Sequence, residues 1–493
     1  MIVDFAAAPV TGTIQTDIAI IGSGPAGLSL AAKLNRDCCV IESGGVGLDI
    51  ANHWRFRSVN AGERTNVDSL RVRGIGGASL RWTGRCIPLD RYDFEDRPWI
   101  APSPWPIAYD ELAPWFDRAA DLMELQPVTA PQRHASPDLD AAIAKDGRWQ
   151  SAIWRFADHK ERGMLRFGDY LADAFTTKQR NLIYNAHCTK VLGNEKAVKA
   201  LVVSGHDGRE TLVRANHFVV AAGCVENSRL LLAARRENPA LLSSVETWLG
   251  RGFNQHLRVD AGELAMSAPY IRPLQKHMTL YQRRGVTLWE RGFGLDPDFA
   301  RAQRIGNASL VLRYQSQSDL DPRNLVARAG GRLLGRPVAF SNPKALVEID
   351  TEQTVDAASR IELDEEPDAL GMPRARVHWT ISETDCQTAY DAAQVFANFA
   401  SEQGLGTVTL AQGLERGTID PAIRRDANHQ LGGTRMSDTA QTGVVDPTLT
   451  VHGVENLSIV GGSVFSTGGH ANPTQTIVAL ALRLAERLNA STR

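Results

Sequence analysis

The chain has 493 residues, with 54 Lys and Arg against 56 Asp and Glu, for a formal charge of −2. A hydrophobic share of 43% supports a sizeable core and excludes global disorder. The near-neutral balance argues against nucleic acid or an anionic membrane as the main partner, because either draws on a basic surplus. Length alone suggests about three domains of roughly 150 residues, and the 42 glycines are clustered rather than spread.

Residues 1–16 have no basic region followed by an apolar stretch, so no secretory signal is readable. The most apolar long run, 18–34, contains Gly22, Gly24, Pro25, Gly27 and Lys33, and is too short and interrupted to span a membrane. The cytoplasm is the default expectation, with export on a signal-bearing partner left open. The six cysteines form no C-x-x-C pair, and no metal-ligand spacing is readable. Buried, reduced thiols in a reducing compartment are expected. No repeat with a period of 20–50 residues is visible.

The first informative element is Thr16-Asp-Ile-Ala-Ile-Ile21, a β-type run. It leads into Gly22-Ser-Gly24-Pro-Ala-Gly27, then a helix pattern to Leu34, then a second strand, Cys38 to Ile41, ending at Glu42. This is G-x-G-x-x-G in its β–turn–α–β context, with an acid at the position that binds an adenosine ribose. Gly22 permits the tight turn, Gly24 lets the backbone approach a pyrophosphate, and Gly27 lets helix and strand pack closely. The phosphates would sit on the helix N-terminus.

Four further stretches follow in chain order. They are Arg71-Val-Arg-Gly-Ile-Gly76-Gly77-Ala-Ser79-Leu-Arg81-Trp82-Thr83-Gly84; Asp93-Phe, Trp99 and Trp105-Pro-Ile-Ala-Tyr109-Asp-Glu-Leu112; Val219-Val-Ala-Ala-Gly223 with Glu226-Asn-Ser-Arg; and a C-terminal set. That set runs from His429-Gln-Leu-Gly-Gly-Thr-Arg-Met436 through Ser463-Val-Phe-Ser-Thr467 to Asn472-Pro-Thr-Gln-Thr476. In this order and spacing the chain resembles the glucose–methanol–choline (GMC) family of flavin oxidoreductases, and most of all its bacterial sugar-oxidising and pyranose-oxidase-like members. The match is most specific near the C-terminus and weakest from about 260 to 345.

The resemblance implies an α/β fold. A Rossmann-like FAD-binding domain would be assembled from residues 1–130, 180–256 and 420–493. An α+β substrate domain with a largely antiparallel sheet, from 131–179 and 257–419, would roof the flavin. The runs Ala345-Leu-Val-Glu-Ile-Asp350, Ser359-Arg-Ile-Glu-Leu363 and Ala375-Arg-Val-His-Trp379 alternate like half-buried strands of that sheet, and Thr384 to Gln403 reads as a helix. The cofactor contacts implied are Gly22, Gly24, Gly27, Glu42, Gly76, Gly77, Ser79, Thr83, Gly223, Pro473 and Thr474. Some relatives link flavin to a histidine two residues before the threonine at 83. Here that residue is Arg81, which cannot form the bond, so FAD held without covalent attachment is expected.

His429, one of twelve histidines, falls in the motif that places an imidazole over the flavin, and is expected to be the general base. Asn472 corresponds to the base's partner. Asn472-Pro473 also reads as an N-cap followed by Pro at the first helical position, with the helix aimed at the flavin's N1–C2=O edge. His470 is a candidate for lining the substrate pocket. His452 reads as packing in a turn, and His256 as structural at a domain crossover. Tyr270, Tyr281, Trp289 and Tyr314 are rings that could stack on a sugar. Ser466 stands where many members have proline. The arginine-bearing segment 319–340 reads as a solvated surface segment or, alternatively, a basic lid.

The resulting expectation is FAD-dependent oxidation of an alcohol on a sugar, glycoside or polyol, with oxygen, a quinone or a protein as electron acceptor. A homo-oligomer or a small partner subunit is compatible. A non-redox lyase on the same fold, a flavoprotein hydroxylase and a catalytically idle flavin-binding subunit are the alternatives.

Overall fold

The strand Ile14–Ile21 has no exposed surface at Ile18, Ala19 or Ile20. A strand covered on both faces needs such a continuous apolar run, and a parallel sheet sandwiched by helices supplies that setting. In the computed structural model, which describes residues 1–7, 12–49, 55–65, 67–126, 136–176, 180–314, 326, 329–330 and 343–491, this strand lies inside an eight-stranded sheet. It pairs in parallel with Cys38–Ile41 and with Glu210–Val220, and the helix Pro25–Lys33 makes the first crossover. Arg180–Tyr184 and Leu457–Ile459 add parallel strands from distant parts of the chain.

A second sheet of nine strands contains only antiparallel pairs among the described residues. The α/β class and the largely antiparallel second sheet expected from the resemblance are both present. Alternation along its strands divides the residues between two faces. Leu257, Val259, Phe293, Leu310, Leu312, Val347 and Ile349 share one apolar cluster with Phe396 and Phe399 of the helix Glu383–Glu402. That helix starts on a capping box: Ser382 Oγ accepts from Asp385 N at 3.0 Å, and the Asp385 carboxylate accepts from Ser382 N at 2.8 Å. The opposite face carries charge and looks toward the first sheet.

Two expectations are corrected here. The runs at 359–363 and 375–379 form the hairpin Arg360–Pro367 and Pro373–His378, which pairs with Val59–Asn60 rather than joining the roof. Ile361, Ala375 and Val377 pack on Cys224, Val225 and Phe253. Alternation specifies a half-buried strand but not which sheet receives it. Arg85–Cys86, within the piece expected to stay with the cofactor domain, pairs with Trp149–Phe156 of the roof. The segment 319–340 lies almost wholly outside the described residues.

The six cysteines are free, and Cys38, Cys39, Cys86, Cys224 and Cys386 are buried. Burial pushes the Cys38, Cys39 and Cys86 thiols up to about 12. Among the described residues no helix is long and apolar enough to cross a membrane.

Candidate active site

A cavity of about 760 Å³ opens where the parallel strands end, at Gly22, Ser43, Ala221 and Gly461, and reaches the charged face of the roof. Open α/β sheets place ligands at these carboxyl ends. At its first end a Cβ built on Gly24 would find no atom nearer than Gly77 Cα, at 4.0 Å, and one on Gly223 would find nothing within 4 Å. Both residues line the cavity, so backbone rather than side chain faces its interior there. Gly77 has a φ of 52°, and its Cβ would stand 2.8 Å from Gly24 Cα; side chains would drive the two loops apart. Two helix N-termini reach the same space, at Gly24 and at Pro473. Neither has a side-chain cap or an acid in its first turn. Their unpaired N–H groups suit a pyrophosphate and an anionic ring edge.

Glu42 lines the cavity, yet its carboxylate is already committed to the loops. Oε1 accepts from Gly44 N at 2.8 Å and Gly74 N at 3.1 Å, and Oε2 from Ser23 N at 3.0 Å and Ser23 Oγ at 2.6 Å. The residue read as a ribose contact therefore also holds the fingerprint turn against the 74–77 loop. Ser79 is corrected: it is buried behind the wall, donating to Gly76 O at 2.7 Å and accepting from Phe167 N at 3.1 Å. Gly76 and Gly27 stand in second position too, one donating to Ser23 O at 2.9 Å, the other packed against Gly22. Thr83, Arg81, Pro473 and Thr474 line the cavity.

At the far end His429 and Asn472 meet, with Asn472 Nδ2 3.0 Å from His429 Nε2. The helix that Asn472 precedes runs Thr474–Ala490, and Pro473 itself occupies the N-cap position. The expected N-cap role of Asn472 is thus replaced: its side chain serves the histidine instead of the helix. His429 Nδ1 lies 2.8 Å from Nδ1 of His256, whose Nε2 lies 3.2 Å from the Gly468 carbonyl. A carbonyl only accepts, so His256 Nε2 carries the proton and its Nδ1 is the lone pair. His429 must then donate from Nδ1, which leaves His429 Nε2 unprotonated and facing Asn472. The directions of three hydrogen bonds follow from one backbone oxygen.

Burial, reinforced by the neighbouring imidazole, holds His429 well below the usual histidine range, while Asp350 pulls the other way. Burial likewise pushes His256 down to about 4. Both rings are neutral at physiological pH, as the directions above require.

The roof wall of the cavity includes Arg85, Arg258, Glu290 and Arg313. Arg258 holds Asp350 through two bonds of 2.6 Å. Arg313 bridges Glu290 and Glu348. The rings expected to stack on a sugar lie elsewhere. Tyr281 and Trp289 stack on each other at 4.1 Å, Tyr314 donates to Met278 O at 2.9 Å, and Tyr270 packs on the apolar cluster. His470 is likewise displaced from the pocket: it is buried beside Asp90, its Nε2 3.8 Å from Asp90 Oδ2. His452 keeps its turn-packing place, with Nε2 3.1 Å from Ser437 O.

Residues 355–481 match the family model for the GMC oxidoreductase C-terminal region. These residues carry the C-terminal region of a GMC oxidoreductase. It is 24% identical to 2-methyl-1,2-propanediol dehydrogenase of Mycolicibacterium austroafricanum, over 97% of this chain and 96% of that protein. It is 26% identical to the fructose dehydrogenase large subunit of Gluconobacter japonicus, over 97% and 98%. A shorter stretch, 12% of the chain and 11% of the relative, is 43% identical to pyranose 2-oxidase of Tricholoma matsutake. Among solved structures the fold matches pyridoxine 4-oxidase from Mesorbium loti with a TM-score of 0.61 at 16% identity, covering 97% of this chain and 100% of that one. An Aspergillus oryzae RIB40 formate oxidase matches with a TM-score of 0.60 at 16% identity, covering 98% and 99%.

By these likenesses the chain is an oxidoreductase acting on CH–OH groups, with FAD as its cofactor. The glycine cradle and the two uncapped helix ends fit that cofactor. Sequence reasoning did not foresee the contact of His256 with His429 or the charged face of the roof. The clue to the charges was present: Arg258, Glu290, Arg313, Glu348 and Asp350 interrupt apolar strands at alternate positions.

The buried histidines set an acid limit on stability. His187 is pushed down to about 2, by burial and then by Arg73, and His256 to about 4. Their folded pKa values lie below the unfolded value of about 6.5, so the unfolded chain binds more protons as pH falls. Stability is full above about pH 6.5 and is lost below it, by roughly 2 kcal/mol for each histidine between pH 6.5 and 5. Urea titrations of the holoenzyme at pH 7, 6 and 5 should show falling midpoints; a midpoint constant over that range would contradict the assignment.

Proposed function

We propose that this enzyme oxidises a secondary or primary alcohol of a sugar, glycoside or polyol to a carbonyl, with FAD held non-covalently. The observation that carries the reading is the hydrogen-bonded row from Gly468 O through His256 to His429 and Asn472. It presents a neutral imidazole lone pair beside an amide donor at the cavity wall. The substrate hydroxyl takes the place of the Asn472 N–H at the single lone pair of His429 Nε2 and gives its proton there, while the displaced amide donates to the carbinol oxygen and fixes its position. Bound FAD supplies the two-electron acceptor for the hydride leaving the carbon. With the proton and the hydride both removed, the C–OH unit becomes C=O and the reaction balances. A positioned base of this kind is typically worth about 10²–10⁴ in rate.

His256 acts through His429 and is a positioning residue. Glu42, Gly24 and the N-terminus of the Pro25–Lys33 helix serve the dinucleotide end. The reading keeps a discontinuous cofactor domain and a roofing substrate domain. Support for a polyhydroxylated substrate comes from the relatives, named for fructose, a pyranose and a 1,2-diol. The acceptor is oxygen, a quinone or a protein, and a small partner subunit is compatible with the likeness to a protein named as a large subunit.

Anaerobic mixing with a panel of sugars and polyols should bleach the flavin. The His429→Ala variant should keep its FAD but reduce it about 10²–10⁴ times more slowly; an unchanged rate would refute the base. Acid precipitation should leave the yellow colour in the supernatant, because Arg81 stands where the linking histidine would be. Colour retained in the pellet would show a covalent bond.

A further inference from the structure

The roof sheet is apolar on one face and charged on the other, and the charged face borders the cavity. Across adjacent strands run Arg258, then Glu348 and Asp350, then Arg313, then Glu290, with Arg85 beyond Trp154 at the far edge. Buried ion pairs rarely stabilise more than apolar residues of similar size would. The other face shows that these strands can be packed with Leu, Val and Phe. A charged face is therefore a cost to stability that recognition of a ligand would explain.

The partners within the ladder are unevenly satisfied. Arg258 has its carboxylate, and Arg313 has two. Arg85 is 9% exposed, and its Nε lies 2.9 Å from Glu290 Oε2 but off the line of a hydrogen bond. Among the described residues neither of its terminal nitrogens has a hydrogen-bond partner, and the nearest carboxylate oxygen to Nη1 beyond Glu290 is Asp350 Oδ2, in an ion pair at 4.0 Å. Its guanidinium carbon sits 4.0 Å above the Trp154 ring, which holds the group in place on its other side. Arg85, Arg258, Arg313 and Arg425 are balanced by Asp260, Glu290, Glu348 and Asp350, so the surplus is of donors and not of charge.

Resting on the proposed alcohol oxidation, we infer that Arg85 and Glu290 form a subsite for a neutral vicinal diol next to the carbinol being oxidised. A hydroxyl both donates and accepts. Two adjacent hydroxyls can offer oxygen acceptors to the Arg85 fork while one donates to Glu290. A carboxylate on the substrate would also fit the fork, but would leave the balanced ladder with an extra negative charge. Arg85 is thus the specificity-determining residue, separating polyhydroxylated substrates from simple alcohols. A site built to bond a substrate hydroxyl strongly rejects the analogue that lacks it.

The test uses the holoenzyme and anaerobic flavin reduction with glucose and other neutral hexoses, glucuronate, 1,2-propanediol, 1-propanol and cyclohexanol. The best neutral hexose or diol should exceed its mono-alcohol counterpart in kcat/KM by at least about 10²-fold, and glucuronate should be poorer than glucose. In Arg85→Met the ratio of polyol to mono-alcohol kcat/KM should fall about 10- to 100-fold, with partial recovery in Arg85→Lys. Equal use of cyclohexanol and hexose by the unmodified enzyme would overturn the inference and leave the alcohol oxidation standing, whatever the folding of the variants. So would a preference for glucuronate, or an unchanged ratio in a flavin-loaded Arg85→Met. Flavin that no alcohol reduces would instead defeat the proposed function itself, and this inference with it.

Discussion

The carbonyl of Gly468 is the fixed point of the site. It cannot donate, so it orients His256; His256 orients His429; and His429 is left with a lone pair where a substrate hydroxyl can reach it. The three segments that meet here are far apart in the chain, with 173 residues between His256 and His429 and 212 between His256 and Gly468. The interwoven path of the chain is what the row requires. His256 directly precedes the roof strand Leu257–Met266, His429 follows the roof strand Arg424–Asp426, and Asn472 leads into the C-terminal helix beside the first sheet. A shift of the roof relative to the parallel sheet would break the row before it broke either sheet.

The same division of labour runs through the cavity. At the proposed dinucleotide end backbone faces the cavity, through glycines whose missing side chains leave room and through helix ends whose N–H groups lack partners. At the proposed substrate end charged side chains face it, on a sheet face whose reverse is the apolar core. Neutral imidazoles stand between, kept neutral by burial. The price of that neutrality is sensitivity to acid, since each buried ring takes up its proton when the chain unfolds.

Much of the cofactor end was legible from the sequence because its physics is local. Gly22, Gly24, Gly27 and Glu42 lie within one β–turn–α–β unit, and their spacing carries the geometry. Glu42 still held a surprise, since its bond to Gly74 depends on a loop 32 residues away. The substrate end was less legible. Which sheet takes the strand at 360–367, which rings reach the cavity, and that His470 turns to Asp90 are consequences of long-range pairing that alternation does not encode. Asn472 shows the limit most clearly: its sequence context is that of a helix cap, and tertiary contact with His429 claims the side chain instead.

The direction of the histidine row can be observed directly by neutron diffraction from crystals of the deuterium-exchanged holoenzyme near neutral pH. Deuterium on His256 Nε2 and on His429 Nδ1, with none on His429 Nε2, is the predicted result. Deuterium on His429 Nε2 would contradict the account, because the base would then have no lone pair to offer the substrate.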